Sequence, residues 1–386
     1  MGGLKRIAIL GSTGSIGQQT LEVARAFSDK FKIIALGAGT NSQLLAGQIK
    51  EFKPQIVSFQ GPGASLKEML RPGGPAAPKI VTLEEMASYP DVDLVVVATS
   101  GKAGLAPTLA AIRARKELAL ANKEVLVMAG AIVTAEARKH GVKIRPVDSE
   151  HSAIWQCLKG EQRGSVARLI LTASGGPFLR YPAKRLKTIT PEQALAHPTW
   201  KMGRKVTIDS ATLMNKGMEV IEAHWLFGLP YNRIGVVIHR ESIVHSMVQF
   251  VDGSIKAQLS RPDMRLPIQY ALGYPDRGFN PDLPVMDWDK ALALNFEPPD
   301  LPRFPCLRLA REAGEEGGTY PAVLCAADEV AVDRFLSHGI CFADIAPLVE
   351  DALDHHRGVK RPSLGEILEA DAWARQYATR WRSHRT

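Results

Sequence analysis

Six short segments in the first 150 residues are apolar almost throughout, and segments with helical periodicity separate them. The apolar segments are Arg6–Leu10, Lys32–Leu36, Gln55–Phe59, Asp93–Ala98, Glu117–Ala121 and Lys143–Val147. Strands of a parallel sheet are buried on both faces and therefore appear as continuous apolar runs. Their alternation with helical segments, such as Gln18–Phe27 and Ala106–Arg115, predicts an α/β domain with an open, doubly wound parallel sheet.

The pattern changes after residue 150. A strand at Arg168–Ala173 leads into a glycine loop, a polar stretch with several prolines runs to about Arg204, and a helix is predicted over Ser210–Phe227 with Ser210 as its N-cap. Three further strands, the last two joined by an Asp-Gly turn, predict an antiparallel sheet in an α+β domain: Gly235–His239, Ile243–Val251 and Ser254–Leu259.

The last third of the chain contains a linker and a helical region. Residues 275–305 are rich in Pro, Asp and Asn, and beyond them helices are predicted to start near 305, 320, 344 and 363. A chain of 386 residues exceeds one ordinary core, so several domains are expected. The predicted domains are 1–150, 151–274 with a mobile lid, the linker 275–305, and a helical bundle over 306–386.

The charge balance argues for a small anionic ligand. The formal net charge is +8, but the basic residues are spread out, and the densest tract is the tail Arg380–Arg385. A nucleic-acid-binding protein concentrates its charge and interleaves aromatic residues, which here make up only 6% of the chain. Phosphorylated small molecules explain the positive charge equally well, so no nucleic-acid partner is expected.

The cysteines and the N-terminus indicate a cytoplasmic protein. The four cysteines (Cys157, Cys306, Cys325, Cys341) form no CxxC pair and are expected to be reduced core thiols. The apolar run after Lys5 and Arg6 ends at Gly11 and is too short for a signal peptide. No apolar run approaches the length of a membrane span, so no membrane partner is expected.

The segment Gly11-Ser-Thr-Gly-Ser-Ile-Gly17 directly follows the first strand and opens a helix. Glycines at these positions allow a sharp turn and a close approach of the backbone to a pyrophosphate, which the helix N-terminus then binds. A tight strand-to-helix turn without a ligand is the alternative. The context favours dinucleotide binding.

The end of the second strand bears on which dinucleotide binds. NAD-binding folds place a carboxylate about 20 residues after the glycine loop, where it holds the ribose 2′-hydroxyl. Here the strand ends in Gly37-Ala-Gly-Thr-Asn41, and no Asp or Glu occurs from Phe31 to Lys50. A 2′-phosphate would not be repelled, so the sequence favours NADP over NAD.

Two segments carry candidate ligands for a metal ion and a phosphate. Asp148-Ser149-Glu150 follows the sixth strand, where two carboxylates could face one hard cation or where Asp148 or Ser149 could simply cap a helix. Helical spacing places Asn215, Lys216 and Glu219 on one side of the predicted helix. They could form a site for a phosphate and a metal ion, or they could simply be a solvated helix face. Ser174 with Gly175-Gly176 offers further phosphate donors, and Lys123 lies at the ligand-facing edge of the sheet.

Two histidines have different expected environments. His197 lies in the stretch without periodicity, together with Trp200 and Met202, where either a mobile lid or ordinary core packing accounts for the large apolar side chains. His245 lies on a predicted strand and is expected to be a core histidine with its hydrogen bonds satisfied.

These segments together resemble the 1-deoxy-D-xylulose 5-phosphate reductoisomerases over essentially the whole chain. The matching stretches are GSTGSIG (11–17), LANKE (120–124), PVDSEHSAIWQ (146–156), SGGPF (174–178), HPTWKMGRK (197–205), DSATLMNKGMEVIEA (209–223), IVHSMVQFVDGS (243–254) and AADE (326–329). There are two departures. Relatives often carry a basic residue in place of Thr40, and Ser100-Gly101-Lys102 is more polar than usual.

The resemblance implies a Rossmann-like NADPH domain, a catalytic α+β domain and a C-terminal helical bundle, as a cytoplasmic homodimer. It implies that Asp148, Glu150 and Glu219 hold Mg²⁺, Mn²⁺ or Co²⁺, which polarises the substrate for a skeletal rearrangement before NADPH reduces the resulting aldehyde. Lys123 would act with these three carboxylates in catalysis. The implied substrate-binding residues are Ser149, Glu150, Ser174, His197, Trp200, Met202, Ser210, Asn215, Lys216 and Glu219. The implied cofactor-binding residues are Gly11, Thr13, Gly14, Ser15, Ile16, Gly39, Thr40, Asn41, Asn122, Glu124 and Gly203.

Two other functions remain compatible with the residues alone. A metal-independent, NADP-dependent dehydrogenase of a phosphorylated sugar would need the glycine loop and the phosphate donors but no cation. A nucleotide-sensing or nucleic-acid-binding protein without enzymatic activity is suggested only by the positive charge.

Overall fold

A computed structural model describes residues 4–61, 78–196 and 203–383. The chain divides into two compact units. The first comprises Met1–Val125, Ile132–Ser152 and Asp263–Pro284, and the second comprises Leu126–Ala131, Ala153–Pro262 and Val285–Thr386. Each unit therefore contains segments that are far apart in the sequence.

The strands and helices are numbered in chain order. The strands are β1 (Lys5–Leu10), β2 (Phe31–Ala38), β3 (Ile56–Phe59), β4 (Lys79–Ile80), β5 (Leu94–Val97), β6 (Glu117–Leu120), β7 (Ile144–Pro146), β8 (Val166–Ala173), β9 (Ile234–Ile238), β10 (Val244–Phe250) and β11 (Ile255–Leu259). The helices are α1 (Ser15–Ala26), α2 (Ser42–Phe52), α3 (Leu83–Ala87), α4 (Leu105–Arg113), α5 (Glu124–His140), α6 (Ser149–Cys157), α7 (Pro191–Leu195), α8 (Arg204–Thr212), α9 (Met214–Phe227), α10 (Arg265–Gly273), α11 (Cys306–Glu316), α12 (Tyr320–Leu336), α13 (Ile345–Asp354) and α14 (Leu364–Arg380).

The first unit is built on a seven-stranded sheet in the order β4-β3-β2-β1-β5-β6-β7. All neighbouring strands run parallel. The direction of winding reverses between β1 and β5, and open α/β sheets bind ligands at the carboxyl ends of the strands at such a point. The predicted doubly wound sheet is confirmed, and the six predicted strands differ from the observed ones by at most two residues at either end.

One strand and one helix of the first unit were not predicted. Strand β4 has only two residues, both exposed, so no apolar run marks it. Helix α10 buries Ile268, Ala271 and Leu272 in the core formed by β1, β2 and β5. Two basic side chains donate hydrogen bonds to the carbonyls of its last turn: Lys5 Nζ to Leu272 O at 3.1 Å and Arg145 Nη1 to Ala271 O at 2.9 Å. Residues 265–273 were not predicted as a helix, because their local pattern does not reveal which core they cover.

The second unit contains a four-stranded sheet in the order β11-β10-β8-β9. Strand β10 pairs antiparallel with β8 and β11, but β9 pairs parallel with β8. The prediction of a purely antiparallel sheet is therefore wrong for β9. The connection from β8 to β9 contains α7, α8 and α9, and a long crossover of this kind is what a parallel pair requires.

The helix predicted over Ser210–Phe227 is two helices, α8 and α9. Leu213 separates them with a left-handed backbone conformation at φ +63°. The Thr212 hydroxyl satisfies backbone groups at the break, because it donates to Asp209 O at 3.2 Å and accepts from Met214 N at 3.3 Å. The prediction of Ser210 as an N-cap is wrong, since Ser210 lies in the last turn of α8. Periodicity alone did not show the break because Leu213 is not a glycine and its left-handed conformation has no sequence signal.

The helical region is confirmed, with α11, α12, α13 and α14 starting at 306, 320, 345 and 364. These helices belong to the same compact unit as the four-stranded sheet. Within the part of the chain that the structure describes, no helix combines the length and apolar character needed to cross a membrane.

The cysteines are all free, and three of them are buried: Cys157, Cys306 and Cys325. The prediction of four core thiols is wrong for Cys341, which is exposed at the start of a short 3₁₀ turn. Its position after Gly339 and Ile340 gave no sign of exposure in the sequence.

The buried histidine of β10 predicts how stability depends on pH. His245 lies beside Ser260, whose hydroxyl is 2.9 Å from Nε2. Burial lowers the pKa of His245 from 6.5 to about 4, although a hydrogen bond to the Ser260 carbonyl opposes the shift. Between these pH values the unfolded chain binds a proton that the folded chain does not. Stability should therefore fall as the pH is lowered through this window, by about 3 kcal/mol in total.

Urea unfolding at neutral pH and near pH 4 measures this dependence. The His245→Gln variant should be less stable at neutral pH but should lose less stability on acidification than the wild type. The matched control is His338→Asn, which removes a largely exposed histidine and should keep the wild-type dependence. An unchanged pH dependence in His245→Gln would assign the acid sensitivity to other groups.

Candidate active site

Two glycines of the loop after β1 leave no room for a Cβ, and one of them also has a left-handed backbone. Gly11 has φ +93°, and a Cβ there would lie 2.5 Å from Ala98 O in the loop after β5. A Cβ on Gly17 would overlap the carbonyl oxygen of Gly11, so this glycine lets the first turn of α1 pack on the loop. Gly14 is the N-cap residue of α1. The loop therefore presents the N-terminus of α1 at the carboxyl edge of the sheet, as a pyrophosphate requires.

The residues after β2 lie at the same edge. Thr40 is exposed, and Asn41 caps α2 because its Oδ1 accepts from Leu44 N at 3.1 Å. A buried pair of hydrogen bonds joins the glycine loop to α2, since Ser12 Oγ donates to Gln48 Oε1 at 2.7 Å and Gln48 Nε2 donates to Ser12 O at 2.9 Å. The positions of the glycine loop and of α2 are thus coupled.

Two residues after β6 have different roles: Asn122 holds the loop in place with hydrogen bonds, and Lys123 brings a charged group to the edge of the sheet. Asn122 is buried, donates to Gly101 O at 2.9 Å and accepts from Val125 N at 3.2 Å. Lys123 is nearly buried, and its Nζ lies 2.5 Å from Asp148 Oδ2 at the end of the neighbouring strand β7. The predicted edge residues Lys123 and Asp148 are therefore in direct contact.

Two carboxylates lie at the start of α6. Asp148 occupies the position before the first helical residue, and Glu150 lies in the first turn. Ser149 Oγ donates to Glu150 Oε2 at 2.6 Å. Asp148 is thus both at a cap position and paired with Lys123, and the half-buried Asp148 and Glu150 offer hard oxygen ligands at the carboxyl edge of the sheet.

The second unit places two hydroxyl groups beside a pair of left-handed glycines. Gly175 and Gly176 follow β8 with φ +80° and +66°, and a Cβ on Gly176 would lie 2.8 Å from Ser210 O. Ser174 Oγ is 3.5 Å from Ser210 Oγ and accepts from Gly176 N at 3.3 Å. Successive backbone N–H groups in such a turn, together with hydroxyl donors, form a concave site for an anion.

The cluster predicted on one side of a helix is present in α9. Asn215 Nδ2 donates to Glu219 Oε1 at 2.5 Å, and Lys216 forms a close ion pair with Glu219 Oε2. Glu219 is only 1% exposed. This carboxylate is therefore fixed between an amide and an ammonium group, and Glu222 is buried one turn further along the helix.

Three predicted site residues, His197, Trp200 and Met202, lie outside the described residues, and the lid over 197–204 stays a prediction. Gly203 is described and precedes α8, where its carbonyl accepts from Thr207 N at 3.0 Å.

A buried ionic cluster next to Ser210 was not predicted. Lys205 Nζ lies 2.6 Å from Asp209 Oδ2 and 2.8 Å from Asp328 Oδ2. Lys205 and Asp209 have the i,i+4 spacing of a helical ion pair, which was a usable signal, but Asp328 is on α12. Its contact with Lys205 depends on the tertiary structure.

Family models of the reductoisomerases match most of the chain. The model described as "1-deoxy-D-xylulose 5-phosphate reductoisomerase" matches residues 7–130. Two models of its C-terminal domains match residues 144–227 and 259–377.

Curated relatives with the same name are similar over nearly their full length. The 1-deoxy-D-xylulose 5-phosphate reductoisomerase of Pelotomaculum thermopropionicum is 53% identical over 96% of this chain and 97% of its own. That of Heliobacterium modesticaldum is 54% identical over 97% of each chain.

Solved structures of reductoisomerases are also similar to this chain. A DOX-P reductoisomerase in complex with NADPH, fosmidomycin and magnesium has a TM-score of 0.93, with 42% identity over 97% of this chain and 98% of that one. The enzyme from Zymomonas mobilis in complex with NADPH has a TM-score of 0.90, also with 42% identity over 97% and 98% of the two chains. This chain belongs to the 1-deoxy-D-xylulose 5-phosphate reductoisomerase family.

Proposed function

We propose that this protein converts 1-deoxy-D-xylulose 5-phosphate to 2-C-methyl-D-erythritol 4-phosphate, using NADPH and a divalent cation, in the supply of isoprenoid precursors. The observation that carries the proposal is the sequence identity of 53% and 54% to reductoisomerases over nearly the full length of the chain. The geometry of each unit supports it separately, because one unit has a tight glycine loop and a carboxylate pair, and the other has two hydroxyl groups at a left-handed turn and a buried glutamate.

The dinucleotide fits the first unit. A Cβ on Gly11 would clash with Ala98 O and one on Gly17 with Gly11 O, so these glycines allow the tight turn that the pyrophosphate-binding loop of a dinucleotide domain requires. NADPH supplies the hydride that reduces the rearranged aldehyde. The residues of the first unit proposed to hold it are Gly11, Thr13, Gly14, Ser15, Ile16, Gly39, Thr40, Asn41, Asn122 and Glu124. Gly203 of the second unit is proposed as a further cofactor-binding residue.

The donor set fits a hard cation. Asp148, Glu150 and Glu219 offer carboxylate oxygens, the ligands that Mg²⁺ and Mn²⁺ prefer. We propose that these three residues hold the cation, which when bound acts as a Lewis acid on the carbonyl and adjacent hydroxyl oxygens of the substrate. Lys123, paired with Asp148, and Ser149, paired with Glu150, orient the two carboxylates of the first unit.

The phosphate of the substrate fits the second unit. Ser174 and Ser210 bring two hydroxyl groups to the left-handed turn at Gly175 and Gly176. Asn215 and Lys216 donate to Glu219, and an amide and an ammonium group are the kinds of donor that bind phosphate oxygens. We therefore propose that Ser174, Ser210, Asn215 and Lys216 bind the phosphate, with His197, Trp200 and Met202 in a lid over the substrate.

Cytoplasmic location is part of the proposal. All four cysteines are free, as is usual for proteins of a reducing compartment. Fractionation of cells that express the protein would test the location.

We propose that the protein is a homodimer that pairs through the free edge of the four-stranded sheet. Strand β11 lies at the edge, and Ile255 is 53% exposed on it, while Val251 at the adjoining turn is 70% exposed. An edge strand with exposed apolar side chains is a template for pairing with a second chain.

Sedimentation equilibrium should show a dimer for the wild type and a shift to monomer for Ile255→Glu, because the variant would bury a charge at the edge. The control is Leu368→Glu, which replaces an exposed leucine of α14 and should stay dimeric. A wild-type monomer at micromolar concentration would contradict the proposal.

Replacing Glu219 with glutamine tests the metal requirement of the proposed function. Glu219→Gln keeps the shape but removes the charge, so NADPH oxidation with the substrate should fall by about a thousandfold or more, while NADPH binding measured by fluorescence stays near the wild type. The matched control is Asp371→Asn, which also removes a fully buried carboxylate paired with a cation. It should lower stability without a comparable loss of turnover.

A chelator separates the proposed function from the alternative. Wild-type turnover should disappear after chelation and return with added magnesium or manganese. Chelator-resistant oxidation of NADPH would instead indicate a metal-independent dehydrogenase, and wild-type turnover in Glu219→Gln would remove this residue from the metal site.

The edge after β2 predicts a preference for NADPH over NADH. The wild type has no carboxylate from Phe31 to Lys50 that would repel a 2′-phosphate. Thr40→Asp should weaken NADPH binding about tenfold or more and change NADH binding far less. Gln43→Asp adds the same charge at an exposed position of α2 and serves as the control. Equal catalytic efficiency of the wild type with NADPH and NADH would show that the segment after β2 does not distinguish a 2′-phosphate from a 2′-hydroxyl.

A further inference from the structure

The ionic cluster of Lys205, Asp209 and Asp328 joins the proposed phosphate site to the helical region. Lys205 is 21% exposed, Asp209 is 3% exposed and Asp328 is fully buried. The Lys205 ammonium lies within 2.8 Å of both carboxylates and 3.9 Å from Met218 Sδ on α9. One side chain thus contacts its own helix α8, the next helix α9 and helix α12.

Stability alone gives little reason for this arrangement. Lys205 precedes Asp209 in α8, which is the weaker orientation of an i,i+4 ion pair. Burying charged groups is costly, and apolar residues of similar volume often stabilise a fold as well as a buried ion pair does. What a buried ion pair does provide is a defined geometry, because its members tolerate little displacement.

The ionic cluster fixes the position of Ser210. Asp209 and Ser210 are adjacent in the last turn of α8, three residues before the left-handed break at Leu213. The Gly176 turn packs directly against Ser210 O, so a shift of α8 would change the 3.5 Å separation of Ser174 Oγ and Ser210 Oγ. The position of α8 therefore determines whether both hydroxyl groups can bind one phosphate.

Helix α12 also takes part in a second ion pair, which involves α14. Glu329, next to Asp328, lies 2.5 Å from Arg375 Nη2, and Arg375 also binds the buried Asp371 on α14. This pair holds α12 to α14. It is a natural control for any effect that arises from loosening the helices in general.

We propose that Lys205 is a positioning residue for the phosphate site. Its ion pair with Asp328 holds α8 on α12 so that Ser210 and Ser174 bind the same phosphate. The helical region then contributes to substrate affinity without touching the substrate. The inference rests on the proposed phosphate site but not on the identity of the sugar.

The experiment compares Lys205→Met with Arg375→Met in the full-length protein. Titration calorimetry with inorganic phosphate, the KM for 1-deoxy-D-xylulose 5-phosphate, NADPH binding and Tm are measured for both variants. Lys205→Met should raise the phosphate Kd and the substrate KM about tenfold or more, the effect of losing a hydrogen bond to a charged ligand. Its affinity for NADPH should stay unchanged. Arg375→Met should lower Tm but leave all three binding constants near the wild type.

Conservative and paired variants keep the test decisive if Lys205→Met folds poorly. Lys205→Arg retains the charge and should recover most of the phosphate affinity. Asp328→Asn retains the shape and should weaken phosphate binding in the same direction. The double variant Lys205→Met/Asp328→Asn should lose less affinity than the sum of the two single losses, because both changes break one ion pair.

Two results would overturn the inference: a lower Tm with unchanged phosphate affinity in Lys205→Met, or equal changes in Lys205→Met and Arg375→Met. Failure of the proposed function has a different signature. If the wild type did not turn over 1-deoxy-D-xylulose 5-phosphate but phosphate binding still depended on Lys205, the function would be wrong and the positioning role of Lys205 would stand.

Discussion

A carboxylate taken out of water needs a cation or several hydrogen-bond donors beside it, and this protein meets that requirement with lysines. Lys123 pairs with Asp148 in the first unit, and Lys216 pairs with Glu219 in the second. Lys205 forms ion pairs with both Asp209 and Asp328. These pairs hold the proposed metal ligands and the proposed phosphate-binding helix in place, so the arrangement of the site depends on them.

The same requirement explains why lysine and not an apolar residue stands at these positions. Removing one member of a buried pair leaves a charge without compensation, which costs about 3–5 kcal/mol. A site that must bind both a cation and an anionic substrate therefore carries its own balancing charges. Lys123 and Lys216 are buried and Lys205 is half-buried, and each lies beside at least one carboxylate that balances its charge.

Local sequence patterns predicted the features that depend on near neighbours. The parallel strands, the glycine loop at Gly11, the Asn215–Glu219 cluster and the four C-terminal helices all follow from periodicity or spacing within a few residues. Features that depend on contacts between distant segments were missed: the parallel pairing of β9, the core position of α10 and the pairing of Lys205 with Asp328. The break at Leu213 was missed for another reason, since a non-glycine residue in a left-handed conformation has no reliable sequence signal.

We propose that Asp148, Glu150 and Glu219 share one divalent cation. The most direct measurement is an anomalous difference map from crystals grown with manganese, NADPH and a phosphonate analogue of the substrate. The account predicts a single strong peak bonded to oxygens of Asp148, Glu150 and Glu219 at about 2.1 Å, the distance typical of small hard cations. A peak that lacks Glu219, or manganese bound only elsewhere on the protein, would contradict it.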